Sequence, residues 1–296
     1  MTGTRTTLTP AQWVQGARPR TLPAAVSPVA AGTGAAYAIE GGSWARALLA
    51  LVVALALQVG VNYANDYSDG IRGTDAERVG PLRLVGSGLG TPRAVRLAAM
   101  LSFAVAAVVG LVLVVLSGTW WLLAVGTAAI GAAWYYTGGS KPYGYSGFGE
   151  VFVFVFFGPV AVLGTTYTQA GGVGPSAALC GVAVGFLACA ILVANNLRDI
   201  HSDGPAGKHT LAVRLGAQRT RHLYAGLVVG AALVVLPVTF VYPLAALSLL
   251  AVPLAVPPLR AVATGAAGPA LIPVLGATGR LQLVFSLLLG LGLALS

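Results

Sequence analysis

The chain has 296 residues, of which 57% are hydrophobic and 8% charged, with a mean hydropathy of +0.84 and a formal net charge of +9. A water-soluble globule carries roughly three times that share of charge, so the composition excludes one and points to helices crossing a bilayer. The positive excess does not indicate a nucleic-acid partner, because neither a soluble basic domain nor an aromatic-studded groove accompanies it.

In chain order, residues 1–20 form a cytoplasmic, interfacial segment: Trp13, Arg18 and Arg20 suit a short helix lying at the headgroups. Pro23 and Pro28 interrupt the apolar stretch that follows, which argues against a cleaved signal peptide. Apolar runs separated by polar or Gly/Pro breaks then predict nine spans, at 22–39, 45–65, 94–117, 119–137, 149–169, 175–197, 221–238, 241–260 and 279–296. The expectation is an all-α integral membrane protein with nine transmembrane helices in one domain, 1–296. A connection over residues 66–93 joins the second and third spans and is long enough to act as a lid.

Basic residues sort by side. Arg5, Arg18 and Arg20, then Arg72, Arg78, Arg83, Arg93 and Arg96, then Lys141, all fall on one face of this nine-span arrangement. Arg198, Lys208, Arg214, Arg219 and Arg221, with Arg260 and Arg280, fall on the same face, and only Arg46 lies on the other. The inside-positive bias therefore predicts a cytoplasmic N-terminus and an external C-terminus.

Cys180 and Cys189 lie nine residues apart on one span, about 13 Å along the helix, too far to pair; they read as small packing residues. His201, His209 and His222 share one cytoplasmic loop without zinc-ligand spacing.

Of eight acidic residues, six cluster: Asp66, Asp69, Asp75 and Glu77 after the second span, and Asp199 and Asp203 after the sixth. Each cluster follows asparagines, Asn62 and Asn65 in the first and Asn195 and Asn196 in the second. Helical spacing puts Asn62, Asp66 and Asp69 on one face and Asn195, Asp199 and Asp203 in an i, i+4, i+8 row. Hard oxygen donors select Mg²⁺ or Ca²⁺, and Mg²⁺ is commonly shared between carboxylates and a substrate phosphate. The candidate metal ligands are thus Asn65, Asp66, Asp69, Asp75, Asn195, Asp199 and Asp203, facing one another across a central cavity that opens toward the cytoplasmic side. Arg72, Lys141, Arg198 and Lys208, with Asn62 and Arg83, are the candidate diphosphate-binding residues. A secondary transporter would place such acids near the midplane, and an alcohol phosphotransferase would gather them in one compact helix motif; neither pattern is present.

These residues resemble the UbiA superfamily of intramembrane aromatic prenyltransferases, which have nine helices and two aspartate-rich cytoplasmic motifs. Asn65 with Asp69 matches the first motif and Asp199 with Asp203 the second, except that Gly73 stands where the first motif has its last aspartate and Asp75 follows two residues later. That spacing is similar to the MenA branch, the 1,4-dihydroxy-2-naphthoate prenyltransferases of menaquinone synthesis. So are the strings NDYSDGIRGTDAERVGPLRLVGSG from Asn65, YYTGGSKPYGYSGFGEVFVFVFFGP from Tyr135, NNLRDIHSDGPAGKHTLAVRLG from Asn195 and ATGRLQLVF from Ala277. The resemblance implies transfer of a polyprenyl group from polyprenyl diphosphate to 1,4-dihydroxy-2-naphthoate with loss of the ring carboxylate, giving demethylmenaquinone. The setting would be a bacterial plasma membrane; a different aromatic acceptor is the alternative within the superfamily.

The chemistry expected of such residues agrees. Mg²⁺ held by Asp69, Asp199, Asp203 and their neighbours would neutralise the leaving diphosphate, Lys141 and the arginines would hold its oxygens, and the electron-rich ring would attack the allylic cation. Arg83 would reach in as the 66–93 connection closes. Phe152, Phe154, Phe156 and Phe157 read either as the lining of a prenyl groove or as ordinary span packing.

Overall fold

The computed structural model describes residues 8–74 and 82–296, and among these every regular element is a helix. Lipid leaves the backbone no other hydrogen-bonding partner, so helices that satisfy themselves are the solution a chain this apolar must adopt.

Helix α1 (Pro10–Gly16) is capped by Thr9, whose side chain accepts from the Gln12 backbone while the Gln12 side chain accepts from the Thr9 N–H. It is followed by α2 (Pro23–Tyr37), α3 (Trp44–Arg72), α4 (Pro92–Ser117) and α5 (Leu122–Tyr135). The second half contains α6 (Gly149–Ala170), α7 (Pro175–Arg198), a single turn α8 (Ile200–Asp203), α9 (Leu211–Val241), α10 (Pro243–Ala263) and α11 (Gly268–Ala294). Seven of these, α3, α4, α6, α7, α9, α10 and α11, are long and apolar enough to cross a membrane. At the remaining two predicted spans stand the shorter helices α2 and α5, of 15 and 14 residues.

Three boundaries differ from expectation, each for a local reason. Helix α3 does not stop at residue 65 but continues to Arg72, where Gly73 adopts a left-handed cap (φ 70°). At about 1.5 Å per residue its 29 residues span about 43 Å, so a hydrocarbon core of about 30 Å leaves its last turns outside, and the 66–93 connection loses its first seven residues to helix. Helix α9 begins at Leu211, ten residues early, behind a Thr210 cap, and breaks its own course at Gly216 (φ 77°, ψ 164°). The last helix begins at Gly268, eleven residues early, which places Arg280 at its middle instead of in its first turn.

Small residues set the closest crossings. Gly34 of α2 meets Gly290 of α11 backbone to backbone, and Gly158 of α6 lies against Gly181 and Gly185 of α7, where a Cβ would collide with the Gly181 carbonyl. Helices in lipid gain by such close approach because no hydrophobic effect drives them together. Helix α7 is the most buried element, with two-thirds of its apolar window inside, and it carries the main core: Ala183, Val184, Leu187, Ala190 and Val193 pack against Tyr224, Val228 and Val235 of α9.

The two ends of the bundle differ. At one end Arg46 donates to the carbonyls of Leu116 (2.7 Å), Thr168 (3.2 Å) and Gln169 (3.1 Å), so it closes the C-terminal ends of α4 and α6. At the other end α1, the 82–91 segment, the α5–α6 connection and the α7–α9 connection converge on the end of α3.

Candidate active site

Asp69, near the end of α3, is the point where these segments meet. It is 2% exposed, and its carboxylate accepts a hydrogen bond from the Tyr145 hydroxyl while Lys208 Nζ (3.4 Å) and an Arg83 guanidinium nitrogen (3.6 Å) stand against Oδ2. A carboxylate can be buried only when such partners replace its water. Tyr145 organises the group. Its ring lies 4.8 Å under Lys208 Nζ and 5.5 Å from the Arg72 guanidinium, so one side chain binds Asp69 by its edge and two cations by its face. Burial, and then the adjacent Asp69 charge, push the Tyr145 hydroxyl well above the usual tyrosine range, which keeps it a donor.

The second motif approaches through Lys208, which follows Asp203 in the α7–α9 connection. Asp199 and Asp203 are buried, at 3% and 7% exposure. They do not form one straight helical row with Asn195, because α7 ends at Arg198 and Asp199 leaves helical geometry (φ −94°, ψ 4°) before the α8 turn. The expectation of an unbroken i, i+4, i+8 series is corrected on that point. Instead Asp199 receives both Nε and NH2 of Arg198 at 2.6 Å, a bidentate buried pair between sequence neighbours. The Asp203 carbonyl accepts from the Lys208 N–H at 2.8 Å, which fixes the turn that aims Lys208 at Asp69.

Other residues singled out from the sequence have different occupations. Asp66 is fully buried and accepts the backbone N–H groups of Leu84 (2.7 Å) and Val85 (3.0 Å), so it anchors the 82–91 segment to α3. Asn62 donates to the Ala17 carbonyl and to Thr21 Oγ1, both at 2.9 Å, tying the N-terminal segment to α3. Arg72 donates to the carbonyls of Thr137 and Gly139, and Asn65 Oδ1 accepts from Thr137 Oγ1 (2.8 Å), so both hold the α5–α6 connection. Lys141 is exposed, and Asn195 is half-buried on α7. Asp75 lies outside the described residues.

Two functional candidates were absent from the sequence reading. Tyr145 sits in a glycine-rich connection where no periodicity marks it. Glu150, in the first turn of α6, is buried with Asn196 donating to its Oε1 at 2.9 Å and the Cys189 thiol donating to its carbonyl at 3.0 Å. An acid opening an apolar run was the available signal. Both cysteines are free and buried.

Below Asp69, a cavity of about 440 Å³ runs along α3 between Ala50 and Asn65 and is walled by α2, α4, α5 and α6. That is the size of a typical small-molecule site. Its walls are mostly apolar, with Gln58, Asn62, Asn65 and Tyr136 toward one end and Thr165 and Thr168 of α6 elsewhere. The phenylalanine run of α6 divides: Phe152, Phe156 and Phe157 line the cavity, whereas Phe154 faces Phe186 and Gly185 of α7. A π-helical turn at Phe156–Val160, around Pro159, supplies the change of register.

The donor set around Asp69, Asp199 and Asp203 is oxygen throughout. Among the described residues no three histidine, cysteine, aspartate or glutamate side chains converge as an all-protein cage would require. A partial set of hard donors flanked by cations fits Mg²⁺, which keeps waters and shares its coordination with a substrate phosphate.

A buried cluster of acidic and basic side chains thus stands one helical turn beyond the Asn65 end of an apolar cavity in an all-helical bundle. Residues 25–267 match the UbiA prenyltransferase family, and the chain belongs to that family. It is 59% identical over 277 residues to the 1,4-dihydroxy-2-naphthoate octaprenyltransferase of Mycobacterium tuberculosis, covering 94% of each chain. It is 39% identical over 294 residues to the protein of the same name in Escherichia coli, covering 96% of this chain and 95% of that one. In fold it is similar to a UbiA homolog from Aeropyrum pernix K1 (TM-score 0.69, 16% identity, 92% and 97% of the two chains). A UbiA homolog from Archaeoglobus fulgidus bound to GPP and Mg²⁺ gives a TM-score of 0.63 at 15% identity, over 96% and 100% of the chains.

Proposed function

We propose that the chain transfers a polyprenyl group from polyprenyl diphosphate to 1,4-dihydroxy-2-naphthoate in menaquinone synthesis. The observation that carries this reading is Asp69 with Lys208, Arg83 and Tyr145, one helical turn beyond Asn65, the last α3 residue to line the apolar cavity. Its particular acceptor is supported by the names of the relatives that match nearly the whole chain. Asp69, Asp199 and Asp203 are the residues that would hold Mg²⁺. Bound there, the ion would offset the negative charge that develops on the diphosphate as the allylic C–O bond breaks.

The chain's own residues do the rest. In the structure two of these acids are matched by cations, Asp69 by Lys208 and Arg83 and Asp199 by Arg198. An arriving diphosphate exchanges these partners: its oxygens take Lys208, Arg83 and Arg198, and the carboxylates are released for the metal. Tyr145 keeps Asp69 in place by its hydrogen bond. The cavity holds the prenyl chain and keeps water from the cation. The ring carbon then bonds to the allylic carbon, diphosphate leaves with the C–O electron pair, and the ring carboxylate departs as CO₂ with its bonding electrons returned to the ring. Nothing is oxidised, so the product leaves as the quinol form of demethylmenaquinone.

The same reading takes α2 and α5 as short spans, giving nine transmembrane helices in a bacterial plasma membrane. The Asp69 end and the N-terminus face the cytoplasm, and the C-terminus lies outside. It supports Arg83 as the residue through which the 82–91 segment closes over the site. The test is purified chain in lipid with polyprenyl diphosphate and dihydroxynaphthoate. Prenylated quinol and CO₂ should appear in equal amounts with Mg²⁺ and be lost in Asp69→Ala and Asp199→Ala. No metal-dependent product, or full activity in both variants, overturns the proposal.

A further inference from the structure

Glu150 is a buried acid to which the chemistry above gives no task. It lies in the first turn of α6, where the helix N-terminus favours a negative charge but does not replace the water that burial removes. Among the described residues its carboxyl is bonded to one side chain: Asn196 Nδ2 donates to Oε1 at 2.9 Å. Asn196 is itself buried in the last turn of α7, two residues before that helix ends at Arg198 and three before Asp199. A second bond ties the same residue to the same helix, from the Cys189 thiol to the Glu150 carbonyl at 3.0 Å. Cys189 and Asn196 are about two helical turns apart, so Glu150 is held to α7 at two levels, roughly 10 Å along its axis.

The two ends of this tie lead to the two halves of the site. Upstream of Glu150 the chain runs through Gly149, which seats against Leu192 of α7, to Tyr145, whose hydroxyl is bonded to Asp69. Downstream of Asn196 it runs directly into Arg198 and Asp199, bonded to each other at 2.6 Å. The close packing of α6 on α7 at Gly158, against Gly181 and Gly185, lies about two turns further along α6 and does not fix this end. The last turn of a helix is its least constrained part, because its carbonyls have no intrahelical donors. An anchor there sets the course of the residues that follow.

We propose that Glu150 is a positioning residue: through Asn196 it fixes the end of α7, and so holds Asp199 in register with Tyr145 and Asp69. Glu150 itself touches neither substrate nor metal. The inference rests on the prenyltransferase reading, in which Asp199 holds the metal.

The experiment measures steady-state kinetics of the full chain in lipid, with the Mg²⁺ concentration varied, for wild type, Glu150→Leu, Glu150→Gln and Asn196→Leu. Glu150→Leu and Asn196→Leu should each raise the Mg²⁺ concentration for half-maximal activity about tenfold, the effect of removing an outer bond that orients a metal ligand. Glu150→Gln keeps an acceptor oxygen for Asn196 without its charge and should stay within about threefold of wild type. At saturating Mg²⁺ the KM values of donor and acceptor should not change in any variant. The two leucine changes together should be no worse than either alone, because both remove the same bond. The inference is overturned if Glu150→Leu and Asn196→Leu keep the wild-type Mg²⁺ requirement while only their thermal midpoints fall, since Glu150 would then serve packing alone. It is also overturned if Glu150→Gln is as impaired as Glu150→Leu, or if the effects of the two leucine changes multiply. Should Glu150→Leu fail to fold, Asn196→Leu and Glu150→Gln decide the question on the same readout. A wild type without Mg²⁺-dependent product, or full activity in Asp199→Ala, fails on the functional reading instead, and the two failures are thereby separate.

Discussion

Asp66 and Asp69 stand three residues apart in the same acidic motif, and in the structure they have different partners. The change Asp66→Asn separates a loop anchor from a metal ligand. In the wild type both carboxylate oxygens accept backbone N–H groups, from Leu84 at 2.7 Å and Val85 at 3.0 Å. An asparagine of the same shape can accept only one of these and sets its own N–H₂ against the other. Hydrogen bonds to a charged acceptor contribute about 1.5–3 kcal/mol each, so losing one charge-assisted bond and weakening the other should cost the local structure about 2–3 kcal/mol. At 1.36 kcal/mol per factor of ten, that is roughly 30- to 160-fold. Amide hydrogen exchange of Leu84 and Val85 should accelerate by that factor while the core of α7 stays protected. Because Arg83 reaches Asp69 from the same segment, the donor KM should rise as the anchor loosens, with the Mg²⁺ concentration for half-maximal activity unchanged. Unchanged exchange at Leu84 and Val85, together with a tenfold or greater shift in the Mg²⁺ requirement, would refute the anchor and return Asp66 to the metal site.

Two further outcomes are expected. Tyr145→Phe removes the hydroxyl on Asp69 but keeps the ring beneath Lys208, and should lower kcat/KM about tenfold, with cation placement retained. Since burial raises the Tyr145 hydroxyl above its ordinary range, it remains protonated as pH rises past 10, and the deficit of Tyr145→Phe relative to wild type should be constant between pH 6 and 9.5. Arg46→Ala releases three carbonyls at the far end of the bundle and should destabilise the protein by about 1–3 kcal/mol, read as a lower midpoint of thermal unfolding, with donor and acceptor KM values unaltered.

Much of the architecture was legible in one dimension. A helix in lipid satisfies its own hydrogen bonds, so span positions follow from hydropathy, and all nine predicted spans coincide with helices, seven of them long and apolar enough to cross. Basic residues counted from those spans fell on one side, and the contacts of Arg18, Arg72, Arg83 and Lys208 with the end of α3 and its neighbours gather them at one end of the bundle. The identity of the acidic motifs was equally plain, because carboxylates in so apolar a chain are few.

What a linear reading could not decide was which of these acids faces the site. Asp66 is turned away by backbone N–H groups of Leu84 and Val85, and backbone donors carry no signature in the sequence. Arg72 and Asn62, singled out as diphosphate ligands, donate in the structure to carbonyls that only the folded connections bring near. Tyr145 joins α3 to the second motif from a segment without periodicity. The sequence by itself determined the solvent, the helices and the kind of charge the site needs. The tertiary structure alone distributed the partners, because a buried polar group takes its role from whichever donor or acceptor the fold leaves opposite it.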